Sequence, residues 1–138
     1  MRLIWTSDLE TGIRQIDLQH QELIEIINEF ETAFEAGDEG RAMDDLLPRL
    51  AAYVAFHFAT EEAMIPGVPG GAAHKALHTE QHNDFSERLM KLKSMPGHEL
   101  RREMMVILEY LKQWLVDHIM KTDKQLARLI VVRIPVAD

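Results

Sequence analysis

Cysteine is absent from the 138 residues. That excludes disulfides, thiolate metal sites and cysteine-ligated heme, so any bound metal must be held by nitrogen and oxygen. Also missing is any apolar run near the roughly 18 residues of a membrane span. The N-terminus, Met1-Arg2-Leu3-Ile4-Trp5, reaches Asp8 and Glu10 without the apolar stretch of a secretory signal. A cytoplasmic protein with no membrane partner is expected. Positive charge is scarce, with 15 Lys+Arg against 23 Asp+Glu and a formal charge of -8. Such a chain repels a phosphate backbone and anionic lipid, so nucleic acid is not an expected partner. The short pair Arg101-Arg102 reads as solvated helix surface. No internal repeat or low-complexity tract is present.

Hydrophobic residues make up 46% and charged residues 28%, the balance of an ordinary globular chain. The length suits one domain, residues 1–138. Proline and glycine punctuate the chain around Gly37 and Gly40, from Pro66 to Gly71, and at Pro96-Gly97. Between these points, apolar residues recur at spacings of three and four, which predicts helices over about Asp17 to Glu35, Arg41 to Ile65, Ala72 to Lys93 and Glu99 to Leu129. Short connections favour antiparallel neighbours. The expected fold is all-α: an antiparallel up-down-up-down four-helix bundle. An N-terminal arm, Met1 to Gln15 with Trp5, and a short C-terminal tail, Val131 to Asp138 with Pro135, are expected to lie over its open ends.

The inward stripes carry polar residues. His20 leads Ile24 and Ile27 on the first helix, and His57 and Glu61 follow Leu50 and Val54 on the second. His78 and His82 precede Phe85 and Leu89 on the third, while His118 and Asp123 follow Leu111 and Leu115 on the fourth. In an antiparallel bundle all seven fall toward the same end. A lone histidine on an apolar face is ordinarily a hydrogen-bonded core residue, and His57 with Glu61 could form a plain buried hydrogen bond. Seven such groups at one level would leave a large polar cluster poorly satisfied unless a metal centre accounts for them. His57/Glu61 and His78/His82 are each four apart and share a helix face. His118 and Asp123 are five apart, about 140° on an ideal α-helix, so the aspartate must reach sideways or sit on a distorted turn. His74, one turn before His78, is expected at the rim, on the surface or behind the ligands. His98 is expected in solvent near a helix start. Trp114, Met64, Met104 and Phe58 read as core or pocket wall.

Nitrogen with carboxylate oxygen suits iron, manganese, nickel, copper or zinc rather than calcium or magnesium. Seven ligands are too many for one ion. Five histidines, two bidentate bridging carboxylates and a bridging oxygen atom fill all but one position around two octahedral ions, leaving a place for an exogenous ligand.

In these segments the sequence resembles the hemerythrins, especially the single-domain bacterial hemerythrins. The resemblance rests on Trp5, Gly12-Ile13 and Asp17-Leu18-Gln19-His20; on His57-Phe58-Ala59-Thr60-Glu61-Glu62; on His78-Thr79-Glu80-Gln81-His82-Asn83-Asp84-Phe85; and on Trp114-Leu115-Val116-Asp117-His118 through Asp123. It implies two non-heme irons joined by an oxo or hydroxo bridge, Glu61 and Asp123. It assigns His78, His82 and His118 to one iron and His20 and His57 to the iron where dioxygen attaches, with Leu115 restraining solvent access to the pocket. It implies reversible dioxygen binding by a carrier, store or buffer rather than an enzyme; an unidentified protein is a candidate recipient of the oxygen, and a monomer is the expected state. Oxygen or redox sensing through a separate partner is the alternative. A ferritin-like diiron oxidase or oxygenase is less consistent, because no histidine has a glutamate three residues before it. Two departures from the family pattern stand out. The loop Ile65-Pro66-Gly67-Val68-Pro69-Gly70-Gly71 lacks an aromatic residue before proline, and Gln81 replaces a common glutamate, which bears on the outer contacts of His82.

Overall fold

The computed structural model describes residues 2–65 and 71–133. The described residues are helical apart from short connections, with no strand among them. A 3₁₀ turn at Ser7–Leu9 precedes helix α1, Arg14–Glu35. Helix α2, residues 39–64, joins Glu39–Arg41, a π-helical turn Ala42–Leu46 and Leu47–Met64. Helix α3 is Gly71–Ser94. Helix α4, residues 97–133, joins Gly97–Asp117, a second π-helical turn His118–Asp123 and Lys124–Arg133. No described helix is long and apolar enough to cross a membrane.

Local chemistry explains the boundaries. α1 starts a turn earlier than expected because Asp17 acts inside the first turn, its carboxylate accepting the Thr11 and Gly12 N–H groups and the Thr11 hydroxyl. Gly37, at φ 80°, ends α1 in the left-handed conformation that glycine adopts without a Cβ clash. Asp38 then donates its N–H to the Ala33 carbonyl at 2.9 Å, as in a Schellman ending. The Asp38 side chain accepts the Arg41 N–H at 3.2 Å, so one residue closes α1 and caps α2. In the π turn of α2, Leu47 donates to Ala42 rather than to Met43. Pro48 follows at once. It has no N–H, and its ring presses on the carbonyl four residues back, so it is accommodated where the ladder is already out of α register.

Leu23, Ile27, Phe30, Leu47, Leu50, Val54, Phe85, Leu89, Met104, Leu108 and Leu111 form one apolar core. Contacts between elements run in order. Arg49 of α2 bonds Glu22 and Glu29 of α1, Phe58 of α2 packs on His82 and Phe85 of α3, and Tyr110 of α4 bonds Asp84 of α3. The first and last helices meet at His20 with Asp123 and at Glu31 with Lys112.

The N-terminal arm departs from expectation. The Leu3 N–H donates to Asn28 Oδ1 at 3.1 Å and the Asn28 amide donates to the Leu3 carbonyl at 2.9 Å. Leu3 and Trp5 pack on the core, and Leu9 is buried. Asn28 lies more than three turns into α1, so the arm runs along the flank of the bundle rather than over its end; Asn28 supplies the backbone-like partner that holds it there. The expected tail is helical through Arg133, and residues 134–138, with Pro135, lie outside the described residues, as does most of the expected Pro66 to Gly71 loop.

Candidate metal centre

The seven predicted side chains come together. Glu61, His78, His82, His118 and Asp123 form one buried cluster, and His20, His57, Glu61 and Asp123 a second; within each, the ligand atoms lie within 4.8 Å of one another. The carboxylates are common to both. Asp123 lies 2.9 Å from His20 Nε2 and 3.1 Å from both His78 Nε2 and His118 Nε2. Glu61 touches His57 Nε2, and lies 2.5 Å from His78 Nε2 and 3.4 Å from His20 Nε2.

The awkward spacing of His118 and Asp123 is resolved by the π turn, whose Lys124 N–H bonds the Ile119 carbonyl five residues back. The extra residue absorbs about 100° of rotation, so Asp123 shares the face of His118 instead of lying about 140° away.

Outer contacts fix the rings. In the tautomer that frees Nε2 for a metal, four of the five rings donate Nδ1–H outward: His57 to Gln19 at 2.7 Å, His82 to Glu62 at 3.1 Å, His118 to Gln81 at 2.7 Å and His78 to His74 Nε2 at 2.8 Å. Gln19 also donates to Thr60, and Gln81 also accepts the Thr122 hydroxyl. Phe58 stacks on His82 with ring centroids 3.7 Å apart, and Trp114 stacks on His118 at 4.6 Å. Two expectations change. Gln81 bears on His118, not His82, because it faces α4 across the bundle while Glu62 of α2 reaches His82. His74 is buried, at 4% exposure, rather than at the rim. His98 is exposed, as expected. Nothing in the apolar pattern marks Gln19, Glu62 and Thr122 as supports of the site; their signal is position, since Gln19 and Glu62 adjoin His20 and Glu61 and Thr122 lies one turn after His118.

The residues suit a metal. His82 Nε2 and His118 Nε2 face each other at 3.2 Å, and when both rings donate from Nδ1 a shared cation would satisfy their two lone pairs. His20 Nε2, His57 Nε2, Glu61 Oε1 and both Asp123 oxygens are buried without a satisfactory hydrogen bond, a costly state that metal coordination relieves. Leu115, one turn before His118, is buried in the adjoining apolar core.

Without metal the cluster balances its own charge. Burial lowers the pKa of His20 and His78, but Asp123 and Glu61 outweigh it and push both up to about 9. Burial alone would raise the two carboxyls, yet a hydrogen bond with Asp123 and then the surrounding histidines hold Glu61 well below the usual range, while His118 holds Asp123 below it against burial and Glu61. A histidine whose folded pKa is raised stabilises fully below its unfolded value of 6.5 and loses that contribution as pH rises through about 9. The melting temperature of metal-free protein is therefore expected to fall across that window. His82 and His74, lowered chiefly by burial, act below it. A flat or rising melting profile over the window would contradict the charge assignment.

The chain is similar to known proteins over most of its length. The family model "Hemerythrin HHE cation binding domain" matches residues 11–130. A bacteriohemerythrin of Pseudomonas aeruginosa is 32% identical over 123 residues, covering 88% of this chain and 76% of that protein. A bacteriohemerythrin of Stenotrophomonas maltophilia is 31% identical over 127 residues, covering 91% and 79%. A hemerythrin-like protein of Naegleria gruberi is 29% identical over 119 residues, covering 86% of each.

Proposed function

Since the chain belongs to the hemerythrin family, we propose that it binds dioxygen reversibly at a non-heme diiron centre and serves as an oxygen carrier, store or buffer. The observation that carries this reading is the pair of buried clusters sharing Glu61 and Asp123. His78, His82 and His118 would hold one iron and His20 and His57 the other, with Glu61 and Asp123 available to both. The unequal histidine count would leave the second iron room for an outside ligand. When bound, the iron pair supplies the electrons that make dioxygen attachment possible and, on release, reversible.

The protein's own residues orient, enclose and insulate. Gln19, Glu62, Gln81 and His74 hold four rings, Phe58 and Trp114 wall two of them, and the buried Leu115 keeps water from the centre. The outer groups are committed to holding ligands, which favours binding over chemical conversion. The reading also places α1 to α4 as an up-down-up-down bundle. The pairings support that order: residue 20 meets 123 while 31 meets 112, and 61 meets 78 while 58 meets 82 and 85.

The test is anaerobic loading with ferrous iron, then cycles of oxygen addition and removal followed by absorption and metal analysis. Two irons per chain and a spectrum that returns on deoxygenation are expected. Leu115→Ala should keep both irons but decay faster to the ferric form. Uptake of fewer than two irons, or irreversible oxidation in the first cycle, would overturn the proposal.

A further inference from the structure

We propose that His74 is a positioning residue: by accepting the Nδ1 proton of His78 it holds that ring with Nε2 aimed at Glu61 and Asp123, making the three-histidine half-site the first to take up a divalent metal ion. This rests on the reading that the seven residues hold two metals.

His74 is no ligand in this arrangement. Its Nε2 is turned to His78 Nδ1 at 2.8 Å, the rings meet edge-on with centroids 4.9 Å apart, and it belongs to neither ligand cluster. His78 needs such a hold. His82 and His118 are each stacked on an aromatic wall, whereas the described ring neighbours of His78 are only other histidines.

The half-sites consequently differ in preorganisation. All three histidines of one have Nδ1 held, by His74, Glu62 and Gln81. In the other, Gln19 holds His57 while His20 Nδ1 is buried with no hydrogen-bond partner. A ring already in its coordinating tautomer and orientation loses less freedom when metal binds. Accepting at Nε2 leaves His74 with its proton on Nδ1, a buried atom with Gln125 beside it. A leucine at position 74 keeps most of the bulk and removes that donor, but it also leaves the His78 Nδ1–H without its acceptor. The two changes oppose each other, so the metal-free fold should change little in stability.

The experiment is anaerobic titration of metal-free protein with Co(II), followed by absorption and calorimetry. Wild type should bind in two steps, and His57→Ala should lose the second while keeping the first. His74→Leu should weaken the first step about 10-fold or more, with little change in the metal-free melting temperature. His74→Gln, whose amide oxygen can accept from His78, should recover most of the loss. Wild-type first-step affinity in His74→Leu, or a glutamine variant no better than the leucine one, would overturn the proposal. So would loss as complete as in His78→Ala, which would make His74 a ligand. Wild-type protein that takes up no metal would instead overturn the underlying metal reading and this inference with it.

Discussion

Glu61→Gln is expected to empty both half-sites at once. Most ligand losses are local: without His57, one cluster keeps all of its five members. Glu61 belongs to both clusters, touches His57, and lies 2.5 Å from His78 and 3.4 Å from His20. An amide offers one neutral oxygen where the carboxylate offers two charged ones, so it cannot bridge two cations. The metal-free protein suffers too, because the raised pKa values of His20 and His78 depend partly on Glu61. Breaking a buried charge cluster from one side costs about 3–5 kcal/mol. Wild type saturated at about 1,000 times its dissociation constant also gains about 4 kcal/mol from metal that the variant does not. Metal analysis after anaerobic ferrous loading, with melts in the presence and absence of iron, checks both parts. Uptake of one ion per chain at wild-type affinity would show that the half-sites do not depend on this carboxylate in common.

The second large effect lies away from the candidate metal ligands. Lys112 and Glu31 are each 2% exposed and pair across α4 and α1, and Glu109 adds a contact to Lys112 at 2.7 Å. Glu31 is eleven residues past His20, about 16 Å along the helix. Lys112→Met leaves the Glu31 carboxylate buried without its partner and should cost about 3–5 kcal/mol, a large share of the roughly 5–15 kcal/mol that holds a domain together. Adding Glu31→Leu should return most of it, since an apolar pair of similar volume avoids desolvating two charges. Iron stoichiometry should stay unchanged in both variants. Urea unfolding of wild type and the two variants gives the comparison; a single variant within about 1 kcal/mol of wild type would show that the pair contributes little.

The sequence shows the candidate metal-site residues more clearly than their supports. His20, His57, Glu61, His78, His82, His118 and Asp123 interrupt apolar stripes, and an interruption is conspicuous. Their outer partners are ordinary polar residues whose aim depends on the neighbouring helix. Gln81 adjoins His82 in the chain, yet the packing of α3 on α4 turns it to His118. Lys112 is hidden for a related reason. It flanks the stripe of Leu108, Leu111 and Leu115, where a lysine normally reads as solvated surface, and only Glu31 on the inward stripe of α1 hints at a charge needing a partner. The arm is hard to place from sequence because Asn28 looks like any exposed helix residue until Leu3 is laid against it.

The π turn at His118–Asp123 has a consequence for heredity. A codon gained in a regular helix turns every later side chain by about 100° and re-faces the rest of the rod. Here the backbone absorbs the extra residue locally, and Leu126 and Ala127 beyond it are buried in the phase that the turn sets. Loss of one codon between 119 and 122 would shorten the turn to regular α geometry and keep that phase, whereas loss of one upstream, in the straight run from 104 to 117, would rotate either the core stripe or the ligand-bearing end out of place. Within this rod, the ligand-bearing turn is also the stretch most able to record a change in gene length without scrambling the helix beyond it.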